Sequence, residues 1–179
     1  MTTISESRVL VDAMIIIDLH MLGLWPSFVA SKGRIVVSSI VAGEALYYRE
    51  TAGGVKKEIR VGDDASTNLV EILEADLQSI AEVAARFANW FVDNLHPGEI
   101  ELLALLAEAP ADELSFCSSD GAAISAAAML GFSERCVCLE TLLKLKGLGR
   151  QVESKHTESF MEHHLRQGRE RRITGYGLA

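Results

Sequence analysis

Proline is scarce in this chain of 179 residues, at three positions, and so is cysteine, also at three. With so few prolines, little of the sequence is barred from regular secondary structure. Cys117, Cys136 and Cys138 are odd in number and form no C-x-x-C pair, so neither a disulfide framework nor a zinc ribbon is indicated, and the thiols read as reduced. Long apolar runs are missing as well. The most apolar stretch, Val9 to Trp25, is broken by Asp12, Asp18 and His20, which argues against a membrane-spanning helix. The opening MTTISESRVL lacks the basic segment of a secretory signal and points to the cytoplasm. Basic charge is in deficit: 17 Lys and Arg face 25 Asp and Glu, which argues against a surface that binds polyanions generally. That deficit is uneven, because residues 150–179 hold six Lys and Arg against four Glu.

What is present suits one folded domain. Hydrophobic residues make up 49% of the chain, enough to build a single core at this length. Short apolar runs at Val9–Val11, Ile35–Val37 and Leu114–Cys117 predict buried strands, with a fourth at Cys136–Leu139. Between them the spacing predicts helices. The first is capped by Asp18, runs through Trp25 and is stopped by Pro26; the second runs from Ile40 to Arg49 behind the caps Ser38 and Ser39. A long amphipathic helix follows from Asp76 to Asp93, and His96-Pro97-Gly98 opens another over Glu99–Glu108. An Ala-rich helix covers Gly121–Leu130, a short one Thr141–Leu148, and the tail forms a charged helix over Ser159–Arg172. Val55 to Leu73 alternates in polarity around a GDDAST turn and reads as an inserted two-stranded hairpin. Alternating strands and helices imply an α/β fold, a three-layer α/β/α sandwich with a mainly parallel central sheet of about four to five strands plus that β-hairpin. The domain spans residues 1–150, and residues 151–179 form the tail.

Four acids stand out. Asp12 and Asp120 each follow a predicted strand, at the sheet edge where open parallel sheets bind ligands. Taken singly, each is as readily a turn acid or a helix cap. Helical phase places Glu44 on the face of Ile40, Val41, Tyr47 and Tyr48, and Glu99 on the face of Leu102, Leu103 and Leu106. Glu101, in line with Leu105 and Glu108, serves as a solvated control. Inward carboxylates without basic partners repel one another, and a hard cation such as Mg²⁺ or Mn²⁺ resolves the conflict. Ser39 and Ser119 are placed to orient the carboxylates or, more simply, to cap helices.

The stretches VLVDAMIIIDL, VVSSIVAGEAL, HPGEIELLALL and LSFCSSDGAAISAAAMLGF together resemble the PIN-domain family of metal-dependent ribonucleases, which includes VapC-type toxins. The resemblance covers roughly residues 8 to 148. It implies that Asp12, Glu44, Glu99 and Asp120 are the catalytic carboxylates. Asp12 and Asp120 would be metal ligands, Glu99 a ligand or base, and Glu44 would hold a metal-bound water or a second ion. It further implies hydrolysis of RNA phosphodiesters with Mg²⁺ or Mn²⁺, a homodimer and, for a toxin, a small antitoxin protein that blocks the cleft. Ala13 and Met14 depart from the pattern, because family members often carry a small polar residue or Asn after the first acid. Ser119 and Gly121 flank the fourth acid, where a second acid is common.

Two rival readings use the same acids. A phosphoacceptor fold wants a second Asp at Met14 and a Lys at a late strand end, and the chain supplies neither. A catalytically silent domain of the same fold, binding RNA or a protein, is the alternative. His156, His163 and His164 lack metal spacing and read as solvated. Lys56, Arg60, Arg166, Arg169, Arg171 and Arg172 read as solvated charges before they read as RNA contacts. Trp90 and Phe91 belong either to the core or to an interface between copies.

Overall fold

The computed structural model describes residues 8–49 and 53–179. Four tetrapeptides, β1 (Arg8–Val11), β2 (Ile35–Ser38), β5 (Val70–Leu73) and β6 (Leu114–Cys117), form a sheet in the order β5-β2-β1-β6. All three pairings are parallel, with Val9 opposite Ile35, Val11 opposite Cys117 and Ile35 opposite Val70. The central strands carry apolar side chains on both faces because helices flank the sheet. Leu10, Ile35, Val36 and Phe116 are fully buried, and burying each such side chain contributes about 1.5–3 kcal/mol.

The connections differ in several places from the sequence expectation. Asp12, not Asp18, caps the first helix α1 (Ala13–Met21). That helix is ended by Gly23 at φ +66°, a conformation open to glycine. Pro26 does not stop a helix; it sits in the first turn of α2 (Trp25–Ala30), where no intrahelical N–H is needed. Asp18 is buried inside α1, where it accepts from His156 Nε2 at 2.9 Å and pairs with Lys155 Nζ at 2.7 Å. His156 is therefore a buried partner rather than a solvated tail residue.

Ser38 caps α3 (Ser39–Glu44), which stops short of Arg49. The two tyrosines that follow are good strand formers, and β3 (Tyr47–Tyr48) pairs antiparallel with β4 (Lys57–Glu58). The hairpin thus exists, but at β3 and β4 rather than across residues 55–73. The expected GDDAST turn lies within α4 (Val61–Ser66), with Asp63 and Asp64 in its first turn, and residues 70–73 form an outer parallel strand of the main sheet. The helix expected over Asp76–Asp93 is split into α5 (Leu77–Ala84) and α6 (Asn89–Val92). Backbone pairing causes the break: Phe87 bridges Leu178, and Ala88 N–H donates to Gly177 O at 3.0 Å.

The helix α7 (Pro97–Glu108) and the Ala-rich helix α8 (Gly121–Leu130) fall where the spacing puts them. Cys136–Leu139 does not make a strand. It provides one parallel bridge, Phe116 to Cys136, before α9 (Leu139–Leu145) begins. The tail folds as α10 (Glu158–Thr174), which packs along α8. A Cβ at Gly168 would overlap Ser125 O and Ala128 Cβ, so glycine sets the closeness of the two helices. Among the described residues no helix is long and apolar enough to cross a membrane.

Candidate functional site

From β1 the chain adds β2 and β5 on one side and β6 on the other. Connections therefore diverge at the carboxyl ends of β1 and β6, where open α/β sheets form a crevice. Asp12 leaves β1 and Ser118 leaves β6 at that point, side by side because Val11 pairs with Cys117.

Asp12 is 4% exposed. Its Oδ1 accepts from Ile15 N–H at 2.7 Å, and its Oδ2 accepts from Ser118 O–H and from Ser119 N–H at 3.2 Å. Burial pushes its carboxyl above the usual range against the lowering effect of those donors, and Asp120 pushes the same way. Asp120 caps α8, with Oδ1 accepting from Ala122 N–H at 2.7 Å and Ala123 N–H at 3.1 Å. Ser118 Oγ also accepts from Asp120 N–H at 3.0 Å, which ties the first and fourth acids to one hydroxyl.

Glu99, 8% exposed, opens α7, and its Oε2 accepts from His96 N–H at 2.9 Å. Burial raises its carboxyl to about 7 against the lowering effect of that bond, with Asp120, Asp12 and Glu44 adding repulsion. Glu99 therefore feels all three of the other acids. Glu44 reaches the group from the last turn of α3 and is exposed, so helical phase mispredicts its burial. Gly98 makes room for it: a Cβ there would lie 2.8 Å from Glu44 Oε2.

The intended control behaves otherwise. Glu101 is 1% exposed and accepts from Ser39 Oγ and Ile40 N–H, both at 2.9 Å. α7 is buried around most of its circumference, with Glu101 through Leu106 all inside, so phase along it cannot separate inward from outward acids. Ser39 thus holds Glu101 rather than a cluster acid. Ser119 serves Asp12 through its backbone, and the orienting hydroxyl belongs to Ser118. The recurrence of Ser at both strand exits, Ser38 and Ser118, was the available signal. His164, read as solvated, lies half-buried over Gly121, while His163 is exposed.

The donors are carboxylate oxygens from four separate elements, a set that suits hard ions. Among the described residues, however, no group of three or more His, Cys, Asp or Glu is arranged to hold a metal ion as it stands. The Glu99 carboxyl, raised to about 7 by burial first and then by repulsion from Asp120, Asp12 and Glu44, fits a cation, since a positive charge among these groups would relieve both burial and repulsion. No protein-family model matches the chain, and no curated protein matches it.

Proposed function

We propose that this protein is a PIN-type, divalent-metal-dependent ribonuclease that hydrolyses phosphodiester bonds of single-stranded or structured RNA. One observation carries the reading: a buried Glu99 whose carboxyl is raised to about 7 in the company of Asp12, Asp120 and Glu44, at the carboxyl end of a parallel sheet. Asp12, Asp120 and Glu99 would hold Mg²⁺ or Mn²⁺, with Glu44 at the rim. Such an ion supplies Lewis acidity and a positive charge to the phosphate.

The chain's own groups set the geometry. Ser118 O–H and Ser119 N–H fix Asp12, the first turn of α8 fixes Asp120, and His96 N–H fixes Glu99 Oε2. As the resemblance implies, Glu99 would serve either as a ligand of the ion or as the group that accepts the proton of an attacking water. By the same resemblance the proposal extends to a cytoplasmic homodimer and, for a toxin, to an antitoxin protein seated in the acidic cleft.

The departures from the family pattern beside the acids, at Ala13, Met14, Ser119 and Gly121, favour a second reading, a PIN-fold module that binds RNA or a protein without cutting. Incubating end-labelled single-stranded RNA with the protein in Mg²⁺, Mn²⁺ or EDTA separates the two. Cleavage with either ion, absent in EDTA and abolished by Asp12→Asn, is the expected result. RNA binding without cleavage under any ion would replace the nuclease by the binding module.

A further inference from the structure

A cavity of about 290 Å³ opens beside the acids, lined in part by Trp90, Asn94, Gly121, His164, Gln167 and Arg171. Its volume is at the small end of ligand sites, the size of a single planar group with a substituent. Two features join it to the cleft. Gly121 directly follows Asp120, and the His164 ring is seated on it: a Cβ at Gly121 would stand 2.6 Å from Nε2 and 2.7 Å from Nδ1. Only glycine there lets α10 bring an imidazole to the edge of the carboxylate cluster. Cavity and cluster are thus joined at Gly121, which lines the one and follows Asp120 of the other.

The lining is chemically mixed in a specific way. Trp90 is 45% exposed. Its ring is held at an angle by Tyr176, at 5.0 Å between centroids, and edge-on by Phe91 at 5.8 Å. The Arg171 guanidinium lies 5.3 Å over Phe91 and 5.9 Å over Tyr176 and, among the described residues, has no carboxylate partner. Asn94 and Gln167 add amide groups. A half-exposed indole, a guanidinium held over two rings without an ion pair among the described residues, and side-chain amides within one small cavity match the base and phosphate of a nucleotide.

On these grounds we propose that the cavity seats one nucleotide of single-stranded RNA, its base on Trp90 and its phosphate on Arg171, with the strand passing over Gly121 toward the carboxylates. The inference rests on the RNA reading given above. It also explains how an acidic cleft in a protein of net charge −8 recruits a polyanion: the attraction is local, supplied by α10.

Tryptophan fluorescence tests it, because the other tryptophan, Trp25, is 2% exposed and donates to Asp64 at 2.8 Å, away from this cavity. The probe is a mixed-sequence single-stranded oligoribonucleotide titrated in EDTA, with binding followed independently by anisotropy of a labelled copy. Saturable quenching is expected, lost in Trp90→Phe. Trp90→Ala should weaken binding on the order of tenfold. Arg171→Gln should weaken it and lower the slope of log affinity against log salt by about 0.7. RNA that binds without quenching, Trp90→Ala and Arg171→Gln that bind as tightly as wild type, or wild type that binds no RNA would each overturn the subsite. The nuclease reading fails separately: quenching with no cleavage under Mg²⁺ or Mn²⁺ leaves the subsite and removes the enzyme, whereas cleavage undiminished in both variants does the reverse.

Discussion

Replacing Glu99 with glutamine tests the electrostatic core of the site without any assay of activity. In metal-free protein, ionising Glu99 works against burial and against three nearby carboxylates, which moves its carboxyl from 4.5 to about 7. A shift of that size corresponds to about 3 kcal/mol of native stability lost once the group is fully ionised. The sign follows from the proton balance. Between 4.5 and 7 the unfolded chain has released the proton while the native protein keeps it, so stability declines across that window as pH rises, then levels off. Asp12, also raised, adds a decline of the same sign. Glutamine carries no titrating proton and its carbonyl can still accept from His96 N–H. In EDTA, Glu99→Gln should match wild type near pH 5 and exceed it by about 2–3 kcal/mol at pH 8, measured by urea denaturation across the pH series. Adding Mg²⁺ at pH 8 should stabilise wild type and leave the variant nearly unchanged. A wild-type curve flat between pH 5 and 8, or a variant no more stable at pH 8, would refute the convergence of charge argued here.

Ser118→Ala removes the hydroxyl shared by Asp12 and Asp120; about a 10- to 100-fold loss of metal affinity or cleavage is expected, read by Mn²⁺ titration with the melting temperature as a control. Gly168→Ala pushes α10 off α8 at Ser125 O and Ala128 Cβ, which should cost about 1–3 kcal/mol in denaturant unfolding; an unchanged midpoint would mean the helices are not packed at that glycine. Burial pushes Asp18 up, but the bonds from His156 and Lys155 outweigh it and leave the carboxyl lowered. Asp18→Asn should therefore destabilise by about 2 kcal/mol at neutral pH, and the difference from wild type should vanish as pH falls below the ordinary carboxylate range, checked by paired denaturation curves.

The parallel sheet was legible because its core strands Val9–Val11, Ile35–Val37 and Leu114–Cys117 are apolar on both faces, which only a covered parallel sheet accommodates. The outer strand was not: Glu71 sits in it facing Arg8, so it lacks that signature. The acids after β1 and β6 were found from strand position alone. Glu101 proved buried because α7 is enclosed on most sides and Ser39 and Ile40 of a distant element satisfy its carboxylate, whereas Glu44, in the last turn of the short α3, is exposed. The Asp18 to His156 bond spans 138 residues, a distance that no local pattern reports. Tertiary pairing likewise decided the break at Phe87, where the C-terminal residues supply the backbone partners.

Glu101 also fixes how the cleft divides mechanically. By capping α3 from α7 it clamps the carriers of Glu44 and Glu99 into one raft, while Ser118 binds Asp12 and Asp120 into another. Any change in the width of the cleft is then a displacement of one raft against the other rather than an adjustment of single side chains. A substitution at Glu101 would loosen the carriers of two acids at once, although its own carboxylate is engaged by Ser39 and Ile40.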